Sequence, residues 1–187
     1  MISLEDIKEK IPPTIEIPKE FDLFYEWTKE HEEEVISGCF EWRSNYAEFI
    51  EGWFGANKAE KFGMFGAGST GNIYAFWINE NGTQKIVHIG SEGEEMLIIA
   101  DNFIDFLRFL AIGYDDPSED MNKTIFDYYI GEYGEEEGQE ELEYYVNTEF
   151  QNWVRETFNV TIPKKGIEII NISDKTFEIW VEENSLN

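Results

Sequence analysis

The sequence predicts one α+β domain in which a mainly antiparallel β-sheet is flanked by α-helices. Three observations carry that expectation. Between Phe62 and Ala100, short apolar runs alternate with turn residues, the pattern of a β-meander. Other stretches repeat apolar side chains at helical spacing, most clearly Phe103, Ile104, Phe106, Leu107, Leu110 and Ala111. Finally, 187 residues suit a single domain with a substantial core, and the chain shows neither an internal repeat nor a domain boundary, so the domain spans residues 1–187.

The elements follow in order. Ser3 ahead of Leu4-Glu5-Asp6-Ile7 is a helix-start signal. Pro12, Pro13 and Pro18 then predict an extended N-terminal arm within residues 1–20. Phe21, Phe24, Tyr25 and Trp27 predict a helix over Phe21 to Val35 with a charged, solvated end. Cys39, Phe40 and Trp42 suggest a short strand. Tyr46, Phe49, Ile50 and Trp53 lie on one helical face. Phe62 to Phe65, Ile73 to Ile78, Lys85 to Ile89 and Met96 to Ala100 read as strands. The second is apolar on both faces, as a central strand should be. Asn81-Gly82 between two of them is a hairpin signal, because both residues tolerate positive φ. Asp101 or Asn102 can cap the next helix, and Gly113 ends it.

Beyond Gly113 the pattern is less regular. Asp115 to Lys123 reads as a polar loop, and Ile125 to Ile130 fits either a strand or a helix. Gly131 to Gly138 reads as a loop, with a helical turn over Glu140 to Tyr145. Asn147 to Phe158 is a helix carrying Phe150, Trp153, Val154 and Phe158 on one stripe. Gly166 to Ile172 and Thr176 to Val181 resemble a terminal hairpin over Ser173-Asp174-Lys175.

Charge is the dominant compositional feature. Forty acidic residues face 14 basic ones, for a formal net charge of −26. Residues 86–153 alone hold 18 acids against Arg108 and Lys123. Such a field repels nucleic acid and anionic membrane and attracts cationic partners. The single cysteine, Cys39, excludes an internal disulfide. The N-terminal residues lack a signal peptide's basic start and apolar run, and no stretch reaches membrane-span length, so the expected location is cytoplasmic.

Familiar catalytic patterns fail on context. Gly66-Ala67-Gly68-Ser69-Thr70-Gly71 matches G-x-G-x-x-G, but a strand rather than a helix follows, so no helix N-terminus is available for a pyrophosphate. Kinase signatures and the Walker lysine are missing. Cys39 has no signature spacing to His31 or His88. Asp115, Asp116, Glu119 and Asp120 lack the ligand spacing of an EF-hand. The chain is therefore expected to be no enzyme, with neither metal nor cofactor.

What remains is a binding surface. Glu132, Glu135, Glu136, Glu137, Glu140, Glu141 and Glu143 crowd together with Tyr133, Tyr144 and Tyr145 interleaved, and Glu92, Glu94 and Glu95 form a second acidic group. Carboxylates steer and pair with Lys and Arg, while tyrosine adds buried area with a polar tip. The candidate partner-binding residues are Glu92, Glu94, Glu95, Glu132, Tyr133, Glu135, Glu136, Glu137, Glu140, Glu141 and Tyr144.

One resemblance sharpens this reading. The order GMFGAGSTGNIYAFW, IVHIGSEGE and MLIIADNFIDFLRFLAIGY, with Trp53-Phe54-Gly55-Ala56-Asn57 upstream and Phe150 to Phe158 downstream, resembles the SMI1/KNR4 (SUKH) family in patches over residues 51–163. The resemblance implies an α+β fold and the family's usual role, an intracellular immunity protein that binds and neutralises a toxin. Combined with the acidity, it points to a cationic toxin domain as partner, a nuclease being one candidate. The rival expectation is a regulatory or scaffold module of the same fold with a host protein as partner.

Overall fold

Five strands form one sheet in chain order: β1 (Glu41–Trp42), β2 (Phe62–Ala67), β3 (Ile73–Ile78), β4 (Gln84–Ile89) and β5 (Leu97–Ala100). Every neighbouring pair is antiparallel. The computed structural model describes residues 2–44, 47–68, 70–91, 93, 95–115, 117 and 119–186. Its helices are α1 (Leu4–Lys10), α2 (Lys19–Glu30), α3 (Ala47–Phe54), α4 (Phe103–Leu110), α5 (Ile125–Tyr133), α6 (Glu135–Tyr145), α7 (Thr148–Phe158) and α8 (Thr176–Asn184). The fold is α+β, and none of these helices is long and apolar enough to cross a membrane.

The sheet is covered on both faces. Tyr74 and Phe76 of β3 enter one core, while Ile73, Ala75 and Trp77 enter the other. This explains the uninterrupted apolar run of β3, since successive strand side chains point to opposite faces and both faces are buried. The larger core gathers Phe21 and Phe24 of α2, Phe103 and Phe106 of α4 and Phe150 of α7 over Phe65 and Phe76. The smaller closes under Ile50 and Phe54 of α3 and Phe177 and Trp180 of α8. Each fully buried ring contributes about 1.5–3 kcal/mol before the entropy of ordering is subtracted. Asn102 caps α4, its side chain accepting from the Asp105 N–H.

Several expectations need correction. The N-terminal arm is fastened to the domain. Ile7, Ile11 and Ile15 are buried in the larger core, and Gln84 holds Glu16 through two hydrogen bonds of 2.9 and 2.8 Å. The prolines stop the helix, but the isoleucines fasten the chain. The β3–β4 turn is organised by Asn79, whose side-chain oxygen accepts from the N–H groups of Asn81 and Thr83. Only Gly82 there has positive φ.

The larger departures lie downstream. Ile125 to Ile130 is helical, and most of the predicted loop from Gly131 to Gly138 is divided between α5 and α6. The predicted terminal hairpin is instead a 3-10 turn at Gly166–Glu168 followed by α8. Its isoleucines and valine favour strands, but that preference depends on a pleated neighbour to pack against. At Phe177 and Trp180, spacing of three places both rings on the open face of the finished sheet.

Candidate functional site

The predicted acidic cluster folds as a helical hairpin. Thr124 starts α5, accepting from the Asp127 N–H. Gly134, at φ 85°, reverses the chain, and α6 begins at the next residue. Glu135, Glu136 and Glu137 then occupy the first turn, where the unpaired N–H groups of a helix start favour negative charge. A run of glutamates read as part of a loop is thus placed where the helix backbone best tolerates it. Gly138 fixes the packing. A Cβ there would lie 2.5 Å from the Tyr129 carbonyl oxygen, so only glycine lets the two helices approach this closely.

Tyrosines anchor the hairpin to the domain. The Tyr129 hydroxyl donates to the Gly113 carbonyl at 2.7 Å, and its ring stacks on Tyr145 at 5.8 Å. Tyr128 and Tyr133 both donate to the Asp115 carboxylate, Tyr133 at 3.1 Å. Asp115, weighed in the sequence as a calcium ligand, is an acceptor for two tyrosines. Among the described residues, no group of three or more His, Cys, Asp or Glu side chains is arranged to hold a metal ion. Burial, then the Asp115 charge, pushes the Tyr133 hydroxyl up to about 12. Burial, then the charges of Cys39 and Glu141, does the same for Tyr145, to about 12. Tyr129 is raised further by burial and Asp115. These hydroxyls therefore remain protonated donors at neutral pH.

The outward side is carboxylate and ring. Glu132, Glu135, Glu136, Glu137, Glu140 and Glu143 are exposed and Glu141 is half-buried. None has a Lys or Arg ion-pair partner among the described residues. Tyr144 is 55% exposed and Tyr133 37% exposed, and Phe126 on α5 adds a further exposed ring. The side chain of Tyr133 thus links Asp115 to the surface.

The second acidic group is only partly visible. Glu92 and Glu94 lie outside the described residues. Glu95 is half-buried at φ 52°, in the β4–β5 connection, and its carbonyl accepts from His88 Nδ1 at 2.7 Å. In an antiparallel meander the β2–β3 and β4–β5 connections leave the same end of the sheet, and here a relay of hydrogen bonds joins them. The Gly68 N–H donates to Asn72 Oδ1 at 2.8 Å, which turns the amide nitrogen of Asn72 towards His88 Nε2 at 2.8 Å. His88 Nε2 accepts, so Nδ1 carries the proton that meets Glu95. Segment Ser37 to Phe40 continues this end to the hairpin. Phe40 lies over Gly66 and against Tyr74, while Ser37 donates to the Tyr114 carbonyl and Gly38 abuts Asp115. The glycine-rich loop is accordingly lined by the chain's own Phe40 and Asn72 side chains.

The tyrosine anchors Tyr128 and Tyr129 and the acceptor Asp115 were not among the predicted site residues. Tyr129 falls on one stripe with Tyr133 once α5 is read as a helix, and that signal was present in the sequence, whereas Tyr128 lies off that stripe. No protein-family model, curated protein or solved structure matches this chain.

Proposed function

We propose that this chain is a stoichiometric protein-binding module of the immunity type, similar to the SMI1/KNR4 (SUKH) proteins, which occupies a cationic site on a toxin with the outer surface of α5 and α6. The observation that carries this reading is a helical hairpin bearing seven glutamates, none with a Lys or Arg partner among the described residues, with Tyr133 and Tyr144 exposed among them. Such a surface attracts a basic partner over long range and supplies ring area for close contact. A nuclease needs basic residues to hold phosphates, so an acidic protein competes for the same ground. The reading needs no catalytic group in this chain. Cys39, His31 and His88 form no nucleophile–base pair in the hydrogen bonds described: His31 is tied to the Trp27 carbonyl and His88 to Asn72 and Glu95.

The test starts from the product of the neighbouring reading frame. Co-expression should protect cells from it, and the two proteins should co-purify in equal amounts at low salt. Replacing Glu135, Glu136 and Glu137 together by Lys should slow association about tenfold or more and flatten its salt dependence. An unchanged association rate at low salt would remove the hairpin from the interface. Capture of a host protein without protection would favour the regulatory or scaffold reading.

A further inference from the structure

A cleft of about 700 Å³ opens between the C-terminal end of α2 and the edge strand β1, apart from the α5–α6 surface. That size is within the range of pockets that enclose a small ligand or a few side chains. Its floor is apolar. Ile36 and Trp42 are buried and Phe40 half-buried. The polar atoms of the floor are already matched, since the Trp42 indole donates to Thr28 Oγ1 at 2.7 Å and Thr28 donates to the Tyr25 carbonyl at 2.9 Å. The floor therefore favours hydrocarbon.

The rim is charged, and its balance is negative. Arg43 is paired with Glu41, and no lysine lines the cleft. Glu34 accepts one hydrogen bond, from Asn147 at 2.9 Å, and Glu32 meets no cation among the described residues. His31 stacks on Trp27 at 4.1 Å and donates through Nδ1 to the Trp27 carbonyl at 2.8 Å. In the neutral ring this leaves Nε2 as an acceptor. Three acceptors, the Glu32 and Glu34 carboxylates and His31 Nε2, thus line a site whose one guanidinium is already engaged.

The third feature is backbone. β1 is the edge of the sheet. The Arg43 N–H is used on the Phe65 carbonyl at 3.0 Å. Alternation along an antiparallel strand then turns the Trp42 N–H and C=O away from β2, towards the side on which no strand pairs with β1 among the described residues.

We propose that this cleft binds an extended peptide segment of a protein partner, paired by its backbone to β1, with an apolar side chain on Trp42 and Ile36 and a neighbouring Lys or Arg on Glu32 and Glu34. Strand addition at a free edge supplies register, and the apolar floor and acidic rim supply the choice of side chains. The inference stands on the geometry of this cleft and does not rest on the immunity reading.

The experiment uses the full chain and a blocked hexapeptide of alternating Lys and Val, followed by backbone amide shifts and calorimetry at low ionic strength. Saturable binding is expected, with the largest shifts at His31–Ile36 and Phe40–Ser44. Glu32→Gln with Glu34→Gln should weaken it at least about fivefold, and Gln at position 34 keeps an acceptor for Asn147. The same peptide with alternate amides N-methylated should not bind, nor should one with Glu in place of Lys. The variant with Lys at 135, 136 and 137 should bind the peptide at the same site. Absence of saturable binding, shifts centred on α5 and α6, or indifference to N-methylation would each overturn the proposal. None of these outcomes depends on whether a toxin partner exists.

Discussion

The sheet unit from Phe62 to Leu110 and the hairpin from Ile125 to Tyr145 are both aromatic, but they use their rings in opposite ways. In the sheet unit the rings are mostly phenylalanine, buried on both faces and held mainly by area. Trp77 is buried there with no acceptor for its indole N–H among the described residues. In the hairpin the rings are tyrosine apart from the exposed Phe126, and each anchoring hydroxyl meets a named acceptor: Tyr129 on Gly113, Tyr128 and Tyr133 on Asp115. One region is built from volume and the other from directed bonds. The difference suits their positions, because a hairpin whose outer side is given over to carboxylates has little apolar surface left with which to hold on.

Three substitutions and one titration sharpen the contrast. The largest effect belongs to volume in the sheet unit. Phe106→Ala removes a ring that touches Phe65, Tyr74 and Phe103, and should cost about 3–5 kcal/mol in chemical denaturation. Next comes the close helix contact. Gly138→Ala should cost about 1–3 kcal/mol by forcing α6 off the Tyr129 carbonyl, with amide exchange accelerating in α5 and α6 before the sheet. Loss of one hydroxyl separates the regions directly. Tyr129→Phe keeps the ring volume and should cost about 1–2 kcal/mol by stranding the Gly113 carbonyl, read in the same denaturation experiment. No loss of stability there would erase the distinction.

The smallest effect is alkaline. Tyr133 and Tyr145 titrate near pH 12 in the folded chain, above the value of about 10 for a free tyrosine. The unfolded chain therefore loses these protons first. Their contribution to stability is whole below about pH 10 and is lost as the pH rises from there through about 12. Tyrosinate absorbance should show a late-titrating group, and Tyr133→Phe should reduce the slope of stability against pH in that window.

Legibility follows the same division. The meander could be read from the sequence because its signals are local: alternation along β3, turn residues between strands, and an Asn cap on α4. The hairpin was hidden because its key glycine works by proximity. Gly138 looks like a breaker until Tyr129 is seen against it. The C-terminal segment was misread for a related reason, since Ile167, Ile169, Ile170 and Ile172 have a strand's preference but no strand beside them. For the candidate surface, charge was legible and shape was not. Glu132 to Glu143 could be counted, but not the anchoring that orders them. The β1 cleft left no trace in periodicity, because Ile36 and Trp42 reach the end of α2 only in the folded chain.

The relay from Gly68 through Asn72 and His88 to Glu95 has one direction of donation throughout. It behaves like a one-way coupling between two loops, and a change at one link must be answered at the next. Asn72→Asp would remove the donor that faces His88 Nε2 and set an acceptor in its place, breaking the single direction of donation at that link. Chains descended from a common ancestor with this one should therefore inherit or abandon positions 72 and 88 together, and the two loops at that end of the sheet should drift as a pair.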